Sequence, residues 1–405
     1  MDVRPTRRSV SELALFGGSK WFDVPKSTSN LVGPDFDRFL DYSQSIFDAA
    51  GRPPGTVTAR FEARLAAFHE TGYCVAFCSG FWALATAIVA LARPGRREVV
   101  IPSLTYRRMA DVIAWTGLLP RFCEVDADTL AISAATAAPW ICDDTALLLA
   151  VHPIVNCCDA QALADLADET HVPILFDGVE SVYERCIDGQ GRSRKVGAFG
   201  HAECFSLHAS KLINGFEGGY VTTNDAALAR RLVDLRNGSM VLPGAIDARL
   251  ADMHAAMALA NLDELDAQVA RNRARYERYR VALAAIQGVR LLTFDESQPT
   301  SYKNIVVELT AEWPLTRSLT LEMLNAENIL ARAYYAPPLH SKPMAYPHIA
   351  AELPVTDQLS QRFMLLPCGE FVTLDDIDEV AKLLSFACAH ADAVRACRAS
   401  QEQKP

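Results

Sequence analysis

Short, almost wholly apolar runs recur through the first half of the chain, separated by stretches whose apolar residues fall at helical spacing. YCVAF (73–77), EVVIP (98–102), PRFCEV (120–125), ALLLAV (146–151) and VPILFD (172–177) predict buried strands. Between them, 81–93, 106–116 and 160–170 predict helices, and TVTARFEARLAAFHE predicts another with Thr56 or Thr58 as its N-cap. Strands without polar alternation, interleaved with helices, indicate a mostly parallel sheet covered on both faces. From Leu250 to about Ile286 a helical pattern continues that would span roughly 50 Å at ~1.5 Å per residue if unbroken. Its apolar face (Leu250, Met253, Met257, Leu262, Leu265) reads either as core or as a dimer surface. VRLLTF, NIVVELT, a helix around 317–327 and another around 374–390 make a smaller mixed unit. A boundary near the middle of the long helix gives a flexible tail (1–12), a large domain (13–265), a small C-terminal domain (266–398) and a second tail (399–405).

Composition narrows the partners. Half of the 405 residues are apolar and the net charge is −10, which argues against nucleic acid or an anionic membrane as a standing partner. No apolar run approaches membrane-spanning length. The opening MDVRPTRRSVSEL has arginines but no apolar stretch behind them, so it does not read as a secretory signal. Eleven scattered cysteines show neither zinc-ligand spacing nor a disulfide framework, and read as reduced thiols of a cytoplasmic protein without a metal site.

The candidate chemistry centres on Lys211, in ECFSLHASKLINGFEGGYVTTND (203–225). The apolar Cys204, Phe205 and Leu207 before it and Tyr220–Val221 after it predict two buried strands joined by the loop that holds the lysine. Burial disfavours an ammonium and lowers its pKa, and a neutral amine is what Schiff-base chemistry needs. Ser206 and Ser210 offer hydroxyls to an anion, and Asp177 ends an apolar strand in a carboxylate. Ser79–Gly80 lies between a strand and a helix, where backbone N–H groups face a phosphate. A lysine, a strand-end aspartate and a helix-start phosphate site together match what pyridoxal phosphate requires.

The ordered segments CSGFWAL (78–84), IPSLTYRRMA (101–110), AVHPIVN (150–156), ILFDGVESV (174–182), FSLHASK (205–211) and FEGGYVTTND (216–225) resemble the DegT family. The resemblance runs from about Leu13 to about Cys368. It implies a fold type I pyridoxal-phosphate aminotransferase: an α/β protein with a mostly parallel seven-stranded sheet between helices and a smaller C-terminal α/β domain. It also implies a homodimer with shared active sites. Lys211 takes the place of the cofactor-bonding lysine and Asp177 that of the partner of the ring nitrogen. Glu180 stands near the cofactor's 3′-oxygen, against a competing reading as a surface glutamate. Tyr106 matches the aromatic over the ring, against a core reading. Gly80, Phe81 and Ser206 stand at the phosphate, Phe81 replacing a frequent threonine. His208, Arg332, Tyr335 and His340 are candidates for substrate contact, each with a structural reading beside it.

Asp247 departs from the pattern, occupying the place of an asparagine that reaches the neighbouring subunit's cofactor phosphate. An ionised aspartate there would repel a dianion by several kcal/mol at an effective dielectric near ~20, unless it turns away, takes a proton or pairs with Arg249. The loop before it, 236–246, is shorter than usual, and Val155–Asn156 replace a frequent Gly-Gln. By resemblance the reaction carries an amino group from glutamate or glutamine to a keto group of a nucleotide-linked deoxysugar or related cyclic polyol. The alternatives are a non-transaminating pyridoxal-phosphate reaction on an amino-acid-derived substrate, such as decarboxylation, elimination, cyclisation or condensation, and an inactive sensor that keeps the fold.

Overall fold

The computed structural model describes residues 9–29, 33–47, 55–239 and 243–402. In chain order its first strands are β1 (Tyr73–Phe77), β2 (Glu98–Pro102), β3 (Leu119–Cys123), β4 (Thr145–Val151), β5 (Ile174–Asp177), β6 (Arg185–Ile187), β7 (Ser193–Lys195), β8 (Ala202–Ser206) and β9 (Gly219–Thr223). Seven of them form one sheet in the order β1-β9-β8-β5-β4-β2-β3, while β6 and β7 pair as a separate hairpin. Neighbours from β8 to β3 run parallel, and β9 is antiparallel to both β8 and β1. β2 and β4 are buried along their whole length, as expected where both faces are covered. Apolar cores pack on the two faces, one around Phe176, Phe205 and Tyr220, the other around Phe77, Ile101 and Phe122.

This topology places the chemistry. The C-terminal ends of β2, β4, β5 and β8 share one edge of the sheet, and β1 ends there too, with Phe77 opposite Gly219. Beyond that edge lie the helix start at Gly80, the loop holding Tyr106, Asp177 itself and the connection from Ser206 to Gly219. Ligands in open parallel sheets sit beyond such ends.

A second sheet, β10 (Val289–Leu291), β11 (Ile305–Leu309), β12 (Arg332–Ala333) and β13 (Phe363–Leu366), is antiparallel in the order β10-β11-β13-β12. Its core takes in Val10, Leu13 and Phe22 from the beginning of the described chain. Glu327 fixes that segment, accepting the Ala14 and Trp21 N–H groups at 2.7 Å each. Residues 13–22, assigned by sequence to the large domain, therefore pack with the smaller unit.

Several expectations need correction. Of the expected tail 1–12, residues 1–8 lie outside the described residues, but Val10–Glu12 form a 3₁₀ turn with Val10 buried. Of 399–405, residues up to Glu402 belong to the helix Ala391–Glu402. The long helix is interrupted at Glu264, giving Asp252–Asp263 and Leu265–Leu283. Side chains at the break are drawn sideways: Asp263 accepts from Tyr42 and Arg64 at 2.7 and 2.8 Å, and Glu264 accepts the Asp35 N–H at 3.0 Å. Leu250, Met257, Leu262 and Leu265 are core, and only Met253 of that face is exposed. The helix Phe36–Phe47 and the β6–β7 hairpin were not legible as elements.

A close backbone approach joins the sheet to the phosphate-type helix start. A Cβ on Gly219 would lie 2.6 Å from Gly80 Cα and 2.8 Å from the Phe205 carbonyl oxygen. Gly219→Ala should therefore cost about 1–3 kcal/mol through backbone displacement, read as a lowered urea midpoint with unchanged m-value.

Candidate active site

The loop from Leu207 to Gly218 is pinned by its own backbone. Leu207 donates to the Gly218 carbonyl at 2.9 Å, Ala209 to that of Phe216 at 3.0 Å, and Lys211 to that of His208 at 2.8 Å. Lys211 then reaches across the strand ends and donates to the Glu180 carboxylate. Its side chain is 23% exposed and that of Glu180 16%, so the pair is largely removed from water. Burial alone would lower the Lys211 pKa, but the Glu180 carboxylate outweighs it and the ammonium is held above its usual range. That corrects the expectation of a depressed lysine. In this structure the amine is an ion-pair partner, and the surface reading of Glu180 does not hold.

Burial would raise the Glu180 carboxyl, yet Lys211, Lys303 and a 3.0 Å hydrogen bond from Asn304 Nδ2 hold it below the usual range. Lys303 Nζ lies 3.7 Å from Glu180 Oε2. These two residues enter from the lead-in to β11, in the smaller sheet, and sequence reasoning missed them. Their only sequence signal was a lysine and an asparagine set directly before an apolar strand.

Asp177 closes β5 and accepts the Val179 N–H at 3.0 Å. Burial pushes its carboxyl up from 3.8 to about 6, against the pull of that hydrogen bond and of Lys211. Behind it, His152 stacks on Phe176 with ring centroids 5.5 Å apart and keeps Nδ1 3.3 Å from Cys158 Sγ.

The helix Gly80–Leu91 opens on Ser79, whose side chain accepts the Trp82 N–H at 3.3 Å. The Gly80 and Phe81 amides of its first turn have no carbonyl one turn earlier to bond. Ser206 stands directly opposite: a Cβ on Gly80 would sit 3.1 Å from Ser206 Oγ. Amides, a hydroxyl and the helix dipole thus converge on one small volume suited to an anion. The Phe81 ring turns away and packs edge-on to Trp82 and Trp115.

Tyr106 is 48% exposed, which excludes the core reading. Its phenol contributes to the electrostatics of both Lys211 and Tyr335. Tyr335 is half-buried, with φ of +46°, and feels Glu180, Asp177 and Tyr106. His208 is exposed at the rim, its Nδ1 2.9 Å from Ser210 Oγ. Arg332 is exposed on β12.

One candidate, His340, falls out of the group. His340 Nδ1 lies 2.8 Å from Ser103 Oγ and Nε2 lies 3.2 Å from Asp357. Both ring nitrogens are engaged in holding that loop, leaving none for substrate. Asp247 is exposed and bound through both oxygens by Arg249, at 3.0 and 3.2 Å, which holds its carboxyl below the usual range. The pairing with Arg249 is the arrangement on this chain, and the phosphate it was expected to reach belongs to a neighbouring subunit. Of its short loop, residues 240–242 lie outside the described residues. Asn156 bridges to the smaller unit, donating to the Thr293 carbonyl at 3.1 Å and accepting the Asp295 N–H at 2.7 Å.

These residues fit pyridoxal phosphate. Asp177 is a buried carboxyl in want of a proton or a cationic partner, Lys211 is the amine, and the Gly80–Ser206 pocket suits a phosphate.

Comparison with known proteins agrees. A sequence profile of the DegT/DnrJ/EryC1/StrS aminotransferase family matches residues 41–385. GDP-perosamine synthase of Vibrio cholerae is 28% identical over 347 residues, 82% of this chain and 92% of that one. L-glutamine:2-deoxy-scyllo-inosose aminotransferase of Micromonospora echinospora is 34% identical over 235 residues, 53% of this chain and 54% of that one. Among solved structures, DesI in the presence of its TDP-sugar product superposes with a TM-score of 0.86 at 31% identity, covering 96% of this chain and 99% of that one. No helix among the described residues is long and apolar enough to cross a membrane.

The raised Asp177 carboxyl has a measurable consequence. Between pH 3.8 and about 6 the native protein holds a proton there that the unfolded chain has released, so this group's contribution to stability falls as pH rises through that window. Asp177→Asn removes the term. Without added cofactor, the variant's stability relative to wild type should climb from pH 4 to 6 and level off above, in urea midpoints measured at each pH. A flat difference would contradict the buried placement.

Proposed function

Because this chain belongs to the DegT/DnrJ/EryC1/StrS aminotransferase family, we propose that it carries an amino group from glutamate or glutamine to a keto carbon of a nucleotide-linked deoxysugar or a related cyclic polyol. Lys211 would hold pyridoxal phosphate. The observation that carries this reading is the meeting of Lys211, Asp177 and the Gly80–Ser206 pocket at one edge of the sheet. When bound, the cofactor supplies an aldehyde that holds amines and a ring that takes up the electrons of a broken C–H bond.

Each of the chain's residues then has a defined task. The Asp177 carboxylate would hold a proton at the ring nitrogen. The Gly80 and Phe81 amides and the Ser206 hydroxyl would hold the phosphate. Tyr106 would stack on the ring, an arrangement favoured by offset π contact. The Lys211 amine, once its proton has left, takes a proton from one carbon and returns it to another. Tyr335, half-buried and within the electrostatic reach of Glu180 and Asp177, would lie on the substrate side.

The acceptor class rests on relatives. One is named for a GDP sugar, one for an inosose, and DesI was solved with a TDP-sugar. A homodimer in the cytoplasm is part of the reading; Tyr106 and Asp247, both exposed on one chain, are residues whose surroundings a second copy would change.

Purified protein supplied with pyridoxal phosphate should show a visible absorbance band that Lys211→Ala abolishes. Glutamate or glutamine should bleach the band within one turnover, and a keto-sugar nucleotide or inosose should restore it. Lys211→Ala should lose at least roughly 10²–10⁴ in turnover, the usual worth of a positioned acid–base group. A band that persists in Lys211→Ala would remove the lysine from its role. A band that no amino donor bleaches would remove transamination.

A further inference from the structure

Two lysines, not one, converge on Glu180. Its Oε1 accepts from Lys211, while Oε2 accepts from Asn304 at 3.0 Å and faces Lys303 Nζ at 3.7 Å. Lys303 and Asn304 are 8% and 4% exposed. Lys303 is fixed at its backbone, where Cys368 Sγ approaches its carbonyl oxygen at 2.9 Å. A buried ammonium costs several kcal/mol unless a carboxylate compensates it, so its choice of partner matters.

Among the described residues, Glu370 lines with Lys303 a cavity of about 10 Å³. That space holds about one water at most. Glu370 is already bound by Arg271 at 2.7 Å and Arg275 at 3.1 Å. Glu180 is therefore the counter-charge available to Lys303. The groups that face Glu180 are Lys211 from the β8–β9 loop, Asp177 from β5, Lys303 and Asn304 from the lead-in to β11, Tyr334 and Tyr335 from the segment after β12, and Cys368 from the segment after β13. Counting charges, two lysines balance two carboxylates.

We propose that Lys303 is a positioning residue for Glu180: it competes with Lys211 for that carboxylate and so sets how firmly a proton is held at the Lys211 nitrogen. Lys211 gives up its proton in order to react, whereas Lys303 takes no part in that exchange. Glu180 thus retains a fixed partner when the Lys211 proton leaves, and the loss of that proton is made easier. Without Lys303 the carboxylate would bear on the Lys211 nitrogen alone, and deprotonation there would strand a buried anion on Asn304. Both effects hold the proton more tightly.

The inference rests on the reading of Lys211 as the cofactor-bonding residue. The test is a pH titration of the visible absorbance of the cofactor-loaded enzyme in wild type, Lys303→Met, Lys303→Arg, Glu180→Gln and the Glu180→Gln/Lys303→Met double variant. Lys303→Met should raise the midpoint by about one pH unit, a tenfold gain in proton affinity. Lys303→Arg should restore it, and in the Glu180→Gln background Lys303→Met should move it little. Should Lys303→Met fail to accumulate folded, Lys303→Gln carries the same expectation. An intact band whose midpoint is unmoved or lowered would overturn the inference alone, as would an equal shift in the Glu180→Gln background. Absence of any visible band in wild type would overturn the cofactor reading and this inference with it.

Discussion

A carboxylate and an ammonium held together out of water shape this cleft. Neither Glu180 nor Lys211 is affordable there alone, because an unpaired buried charge costs several kcal/mol. Together they oblige β5 and the β8–β9 loop to keep one spacing. The demand extends to Asp177, whose carboxyl is driven upward by the same burial, and to Lys303 and Asn304, which satisfy the second Glu180 oxygen. Opposed charges, rather than one isolated reactive group, set the geometry into which a cofactor must fit.

The same interactions join the two sheets. The lead-in to β11 touches Glu180, while Asn156, just after β4, is bonded to Thr293 and Asp295. Nearby, the buried Glu184 carboxylate accepts Ser301 N–H at 3.0 Å and Ser301 Oγ at 2.7 Å. The smaller unit is thus fastened along the strand-end edge of the large sheet by polar contacts. The apolar surfaces of Leu104, Val125 and Ile154 supply the non-directional part of that union. A site built from both units is one whose charge balance the smaller unit can tune.

Departures from the family pattern take on physical meaning in this setting. Asp247 is paired with Arg249, its neighbour two positions on. Phe81 loses a hydroxyl but keeps the backbone amide, and its ring joins Trp82 and Trp115 away from the anion pocket. His340, attractive as a mouth residue, serves as a clasp between Ser103 and Asp357.

Much of the fold lay open in the sequence, because strands buried on both faces leave continuous apolar runs and the helices between them keep their period. β1, β2, β4 and β5 could be read that way, and so could the placing of Asp177 and Lys211 just past buried strands. Local chemistry likewise marked Ser79–Gly80 as a helix start. What the sequence by itself could not determine was which charges meet. Glu180 and Lys303 are separated by more than a hundred residues, and only the docking of one sheet on another brings them within an ion pair's reach. The state of Lys211 was misread for the same reason: burial can be inferred from neighbours in the chain, but a Coulombic partner depends on distance in space, and that distance belongs to the tertiary structure.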